Sequence, residues 1–148
     1  MVAGPNGSGK STLTASIEFE GNANLIDPDA IARGMDPLRP SSRAIPAARQ
    51  AILRCRSLLL NRQSFTLETT LAGHGAISLM HQAERIGYRT FLVYVALGDP
   101  ELHIERVRLR VSQGGHDIPD GDIRRRYARS MMRAYRGFEV SGRVGHSR

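Results

Sequence analysis

The sequence predicts an α/β domain built on a mostly parallel sheet, because short apolar runs alternate with stretches of helical periodicity along the whole chain. A glycine-rich turn joins the first run to the first helix, and an aspartate-bearing turn ends the second. At 148 residues, 41% hydrophobic and 24% charged, the chain suits one domain and is too apolar for wholesale disorder. No apolar run approaches the roughly 18 residues needed to cross a bilayer. Met1-Val2-Ala3-Gly4-Pro5 lacks a signal-peptide pattern, and a lone Cys55 excludes an internal disulfide, so a cytoplasmic location is expected.

Taken in order, Met1 to Ala3 reads as a short strand, followed by a turn and a helix from Lys10. Asn24-Leu25-Ile26 is a second strand ending at Asp27-Pro28-Asp29, since a proline cannot sit in a central ladder. From Arg43 to Asn61 the apolar spacing is helical, with Ile45, Ala48, Ile52, Cys55 and Leu59 expected on the buried side, which makes Cys55 core rather than nucleophile. Ser64 to Leu67 reads as a strand feeding Glu68-Thr69-Thr70, and Ala76 to Ile86 as a helix stopped by Gly87. Thr90 to Leu97, apolar throughout, predicts a strand buried on both faces. A helix after Pro100 would bury Leu102, Ile104, Val107 and Val111, and one from Asp120 would bury Ile123, Tyr127, Met131 and Ala134.

The chemistry begins at Gly4-Pro5-Asn6-Gly7-Ser8-Gly9-Lys10-Ser11, which satisfies G-x-x-x-x-G-K-[ST] between a strand and a helix. Glycines let successive N–H groups turn toward one anion, and the helix N-terminus adds its dipole. Lys10 would bridge the β- and γ-phosphates of ATP, and the Ser11 hydroxyl would bind Mg²⁺; Thr12 follows in the same turn. The fold class is therefore that of an α/β P-loop NTPase, kinase-like, with helices flanking the sheet. Asp29 lies 19 residues after Lys10, about one strand–helix–strand excursion, where a carboxylate at the sheet's rim can accept the proton of an attacking hydroxyl. Helix capping is the competing role for Asp29, and Asp27 is a weaker second candidate for the base. Glu68 sits on the same rim and could hold Mg²⁺ through water, bind a substrate hydroxyl, or merely cap a helix. Thr69 and Thr70 are hydroxyl donors to the same site, and His74 reads as a surface loop residue.

The charge is +7, and 20 of the 21 basic residues are arginine, a side chain whose planar fork suits phosphate. Nine arginines fall between Arg106 and Arg136, against Asp117, Asp120 and Asp122. This is either a solvated face, a lid over phosphate spanning about 112–126 with Gly114-Gly115 as hinge, or a nucleic-acid patch. Arg124, Arg125 and Arg126 are about 100° apart around a helix, so they cannot all reach one phosphate.

Gly-Pro-Asn-Gly-Ser-Gly-Lys-Ser-Thr, then Leu-Ile-Asp-Pro-Asp, Leu-Glu-Thr-Thr-Leu and Gly-Gly-His-Asp-Ile-Pro, in that order, resembles the zeta toxin family of P-loop kinases over Val2 to about Tyr135. The resemblance implies ATP- and Mg²⁺-dependent phosphorylation of a hydroxyl on a small molecule, in the toxins a UDP-sugar, and it raises an antitoxin-like protein as a partner. Lys10 and Ser11 match the phosphate-loop pair, Asp29 the base, Glu68 the acidic strand-end residue and Arg110 an arginine of the pre-lid helix. Two positions depart from the pattern. His116 stands where the toxins have a second arginine, which leaves Arg124 to Arg126 to substitute, with Arg124 assigned to the nucleotide; Thr69 stands where they tend to have glycine.

The expected kinase domain is 1–135, and 136–148, glycine-rich and polar, reads as a frayed or non-native tail. Only three residues precede Gly4, where a strand of about five is usual, so a chain clipped at both ends is expected. The alternatives are a P-loop ATPase without kinase activity, a nucleic-acid end kinase, and an inactive nucleotide-binding fragment. Aromatic residues make up only 5% of the chain, which makes nucleic acid a poor partner because stacking platforms are scarce.

Overall fold

Each strand is short because the chain turns almost at once into a loop or helix. In the computed structural model, which describes residues 1–18, 20–115 and 117–141 and side chains up to residue 136, β1 is Val2–Ala3, β2 Leu25–Ile26, β3 Thr66–Thr69 and β4 Val93–Tyr94. They form a parallel four-stranded sheet in the order β2-β3-β1-β4. The register sets Val2 beside Glu68, Ala3 beside Thr69, and Ile26 beside Leu67. The carboxyl ends of β1, β2 and β3 therefore share one rim, where open parallel sheets bind ligands.

The helices are α1 Lys10–Ser16, α2 Pro28–Met35, α3 Ala44–Leu60, α4 Gly75–Arg85, α5 Pro100–Ser112 and α6 Asp120–Ser141. Two begin with the same chemistry. Asp27 caps α2 by accepting from the Asp29 N–H at 2.8 Å, and Asp99 caps α5 by accepting from the Glu101 N–H at 2.9 Å, each followed by proline at the first helical position. Two also end alike. After α4, the Gly87 and Tyr88 N–H groups donate to Glu84 and Ala83; after α5, the Gly114 and Gly115 N–H groups donate to Val111 and Arg110. These are paired C-terminal caps. Gly87 stops its helix as expected, and Gly114-Gly115, expected as a hinge, closes α5.

The chain divides into two compact units. The first comprises Met1–Ala3, Gly9–Thr69 and Phe91–Val93; the second comprises Gly4–Ser8, Thr70–Thr90 and the chain from Tyr94 onward. In the first, α2 packs on α3. The buried face of α3 is Ala47, Ala51, Cys55 and Leu59, whereas Ile45 is 69% exposed, Ala48 is exposed and Ile52 half-buried. The face is rotated from the one the apolar spacing predicts, because small alanines allow a closer helix approach. Cys55 is core as expected, and burial pushes its thiol up to about 11.

In the second unit, Ile104, Val107, Ile118 and Ile123 form a core cluster with Val111 against it. Leu102 and Met131, expected inside, are exposed; the fully buried His103 and Ser130 take those places. The Thr90–Leu97 run also departs from expectation. Only Val93–Tyr94 is strand, it is half-buried, and it occupies the edge of the sheet. At Leu97 the backbone bonds to side chains: its N–H donates to His103 and its carbonyl accepts from the Tyr127 hydroxyl.

Candidate active site

The first unit carries Gly9, Lys10, Ser11, Thr12, Asp27, Asp29, Glu68 and Thr69. Gly9 is the N-cap of α1, at φ 98°, and opens the helix on Lys10. One turn of α1 then presents Ser11 and Thr14 to β3. The Ser11 hydroxyl donates to Glu68 Oε2 at 2.9 Å, and the Thr14 hydroxyl donates to Glu68 Oε1. Glu68 is 3% exposed. It lies within β3 rather than past the strand's end, because β3 starts two residues later than the apolar pattern suggests. A carboxylate this deep needs its oxygens satisfied, and the two hydroxyls serve that need.

The donor set fits a divalent cation. A hydroxyl and a carboxylate oxygen held side by side, 2.9 Å apart as hydrogen-bond partners, are hard oxygen ligands of the kind Mg²⁺ takes. Among the described residues no cluster of three or more His, Cys, Asp or Glu could hold a metal, so phosphate oxygens and water would complete such a shell. Glu68→Gln keeps the volume and one acceptor but turns the other oxygen into a donor facing a hydroxyl. It is expected to weaken MgATP binding about tenfold or more and to leave the affinity for metal-free ATP unchanged. Calorimetric titration with Mg²⁺ and with a chelator checks this; equal losses under both conditions would remove the metal role.

Of Asp27 and Asp29, both candidates for capping α2, the structure gives the cap to Asp27. Asp27 is the cap, and its other oxygen accepts from Arg33 at 3.4 Å. Asp29 lies in the first turn of α2 and is exposed. Thr69 ends β3, half-buried, and Thr12 is exposed.

The second unit carries Gly4 to Ser8, Thr70, His74, Arg110 and Arg124 to Arg126. Pro5 to Ser8 is a turn closed by the Ser8 N–H on the Pro5 carbonyl at 3.3 Å, with Gly7 at φ 75°. Arg126 donates to the Asn6 side-chain oxygen at 3.1 Å, and Arg106 to the Ser8 carbonyl at 3.5 Å. Arg124 instead grips Glu101 through hydrogen bonds of 2.7 and 2.8 Å, and Arg125 pairs with Asp122 at 2.7 Å. The hydrogen bond from Arg124 holds Glu101 below the usual carboxylate range, and the same contact raises Arg124. Of the three consecutive arginines, Arg126 is the one on the loop. Arg110 lies in the last turn of α5, where its carbonyl accepts from the Gly115 N–H at 2.8 Å. Thr70 is half-buried; His74 is exposed, as expected, and its Nε2 lies 3.2 Å from Arg133. His116 lies outside the described residues, as does the expected tail from residue 142 on; its first part, 136–141, is not frayed but continues α6, whose helical hydrogen bonding runs on past Tyr135.

A family model described as an AAA domain matches residues 1–134. The chain belongs to this AAA-domain family. The family is one of P-loop nucleotide-binding proteins with ATPase- or kinase-like activity, which agrees with the loop and the parallel sheet. An uncharacterized protein of Haemophilus influenzae is similar, 35% identical over 127 residues that span 86% of this chain and 90% of its own length. No solved structure matches. Among the described residues no helix is long and apolar enough to cross a membrane.

Two buried residues in contact with these motifs stand outside them: Thr14 on Glu68, and His103 on the Asn6 carbonyl. Thr14, one turn past the loop, completes the hydroxyl pair on Glu68, and its spacing of three from Ser11 is the one signal for it. His103 is hidden between Leu102 and Ile104, whose places in an apolar stripe draw attention away from it.

Proposed function

We propose that this AAA-domain protein is a small-molecule kinase of the zeta toxin-like type, transferring the γ-phosphoryl group of ATP to a hydroxyl. The observation that carries the reading is the buried Glu68 carboxylate, tied to the Ser11 hydroxyl one position past the loop lysine. A Mg²⁺ ion held at Ser11 and Glu68 would screen the charge of the phosphates when bound. Lys10 and the loop amides hold the β- and γ-phosphates. Asp29, free of the capping duty that Asp27 performs, takes the acceptor's proton. As that oxygen bonds to the γ-phosphorus, the bond from phosphorus to the β–γ bridging oxygen breaks and ADP leaves. The acceptor is a polyol or sugar nucleotide, with Thr69 and Thr70 as hydroxyl partners for it. The surface arginines support a small acceptor over nucleic acid, because Arg108, Arg124 and Arg125 are already paired with Asp120, Glu101 and Asp122.

Coupled ADP release across a panel of UDP-sugars and small polyols tests the reading. Acceptor-dependent release is expected, with Lys10→Ala reducing it at least about a hundredfold. ADP release that no acceptor stimulates would leave an ATPase, and absence of any MgATP binding would end the reading altogether.

A further inference from the structure

We propose that His103 is a positioning residue that fixes the phosphate loop in its anion-binding form; the inference rests on the reading of Gly4–Ser11 as a phosphate cradle. The imidazole is fully buried near the start of α5. Its Nε2 lies 3.1 Å from the Leu97 N–H, and its Nδ1 lies 2.9 Å from the Asn6 carbonyl. The amide can only donate, so Nε2 accepts; the carbonyl can only accept, so Nδ1 carries the hydrogen. The two backbone partners thus specify one neutral tautomer. The Tyr127 ring meets the imidazole edge-on at 5.2 Å, and the Tyr127 hydroxyl donates to the Leu97 carbonyl at 3.2 Å, which brackets the ring.

The contact matters because of where it falls in the loop. Pro5-Asn6-Gly7-Ser8 is closed by an i to i+3 hydrogen bond and has Gly7 at φ 75°, the positive value that a type II turn requires at its third residue. Types I and II differ by a flip of the central peptide, here Asn6–Gly7. In a trans peptide the C=O and N–H point opposite ways. A donor on the Asn6 carbonyl therefore turns the Gly7 N–H away from α5, and a flip would offer an incoming phosphate an oxygen where it needs a hydrogen. Arg126 on the Asn6 side-chain oxygen and Arg106 near the Ser8 carbonyl act in the same sense, drawing acceptors toward the helices. Gly7 leaves no slack, since a Cβ there would come within 2.7 Å of the His103 carbonyl oxygen.

The test compares His103→Leu, His103→Gln and His103→Asn in the full chain. The Asn amide nitrogen occupies the position of Nδ1 and can restore the donor to Asn6. Gln reaches instead toward Leu97. All three lose part of the network, so all three melt lower. MgATP affinity by calorimetry is expected to fall about tenfold in the Leu and Gln variants and to stay within about threefold of wild type in the Asn variant. Affinity that follows melting temperature across the series, or wild-type affinity in a folded Leu or Gln variant, overturns the proposal. Imidazole nitrogen NMR of the unaltered chain should show Nδ1 protonated, with its signal moving on MgATP addition; an Nε2-protonated ring, or one indifferent to nucleotide, overturns it without any variant. A wild-type chain that binds no MgATP marks a different failure, that of the phosphate-cradle reading itself.

Discussion

Asp29→Asn is expected to cut acceptor-dependent ADP release by about 10²–10⁴-fold, the usual contribution of a general base, while MgATP affinity stays within about twofold. The cap on α2 is what frees this carboxylate. One Asp27 oxygen accepts from the Asp29 N–H at 2.8 Å and the other from Arg33 at 3.4 Å, so the helix end is satisfied without the Asp29 side chain. Asn at the second helical position keeps size and polarity, and the Asp29 backbone contact to Asp27 survives the change. What disappears is the capacity to take a proton. Steady-state kinetics with a responsive acceptor would show the loss in kcat, with the nucleotide KM hardly moved. Unchanged turnover would assign the proton to another group and leave Asp29 as a first-turn surface residue.

The features legible from sequence were those set by local geometry. Gly9, which opens α1 at positive φ before Lys10-Ser11, and Gly87, which stops α4, each answer a backbone need settled within a few residues. That Glu68 and the Asp27-Pro28-Asp29 turn fall near the carboxyl side of the sheet was legible as well, because β2 and β3 run parallel; that Glu68 is buried within β3 was not. What was not legible depended on partners distant in sequence. Asp27 and Asp29 both suit a helix start, and only the actual hydrogen bond says which one caps. Three consecutive arginines read alike until Glu101 and Asp122 occupy two of them and Asn6 the third. The apolar run around Val93 suggested a strand buried on both faces; its place at the sheet edge follows from strand order, which periodicity does not encode. His103 has the same origin, being an imidazole on an apolar helix face whose purpose emerges only when Asn6 is found beside it.

The other large effect lies at the start of the loop, where Gly4→Ala is expected to lower the melting temperature by about 5–20 °C. Gly4 has φ +152°, and an added Cβ would overlap the Val95 carbonyl oxygen and stand 2.9 Å from Ser8 Oγ. The first obstacle is main chain, so no side-chain rotation relieves it, and either Gly4 or the segment at Val95 must move. Overpacking of this kind costs about 1–3 kcal/mol, and a non-glycine residue held in a sparsely populated backbone region costs about as much again. For a chain of this size each kcal/mol is worth about 2–4 °C. Gly34, inside α2 with no atom within 4 Å of an added Cβ, supplies the opposite case. Gly34→Ala is expected to raise stability by about 0.5–1 kcal/mol, since the helix gains propensity and the unfolded chain loses freedom. Thermal melts of the two variants should therefore move in opposite directions from the same chemical change. A Gly4→Ala melt at or above the wild-type temperature would mean that the loop and Val95 do not approach as closely as the geometry places them.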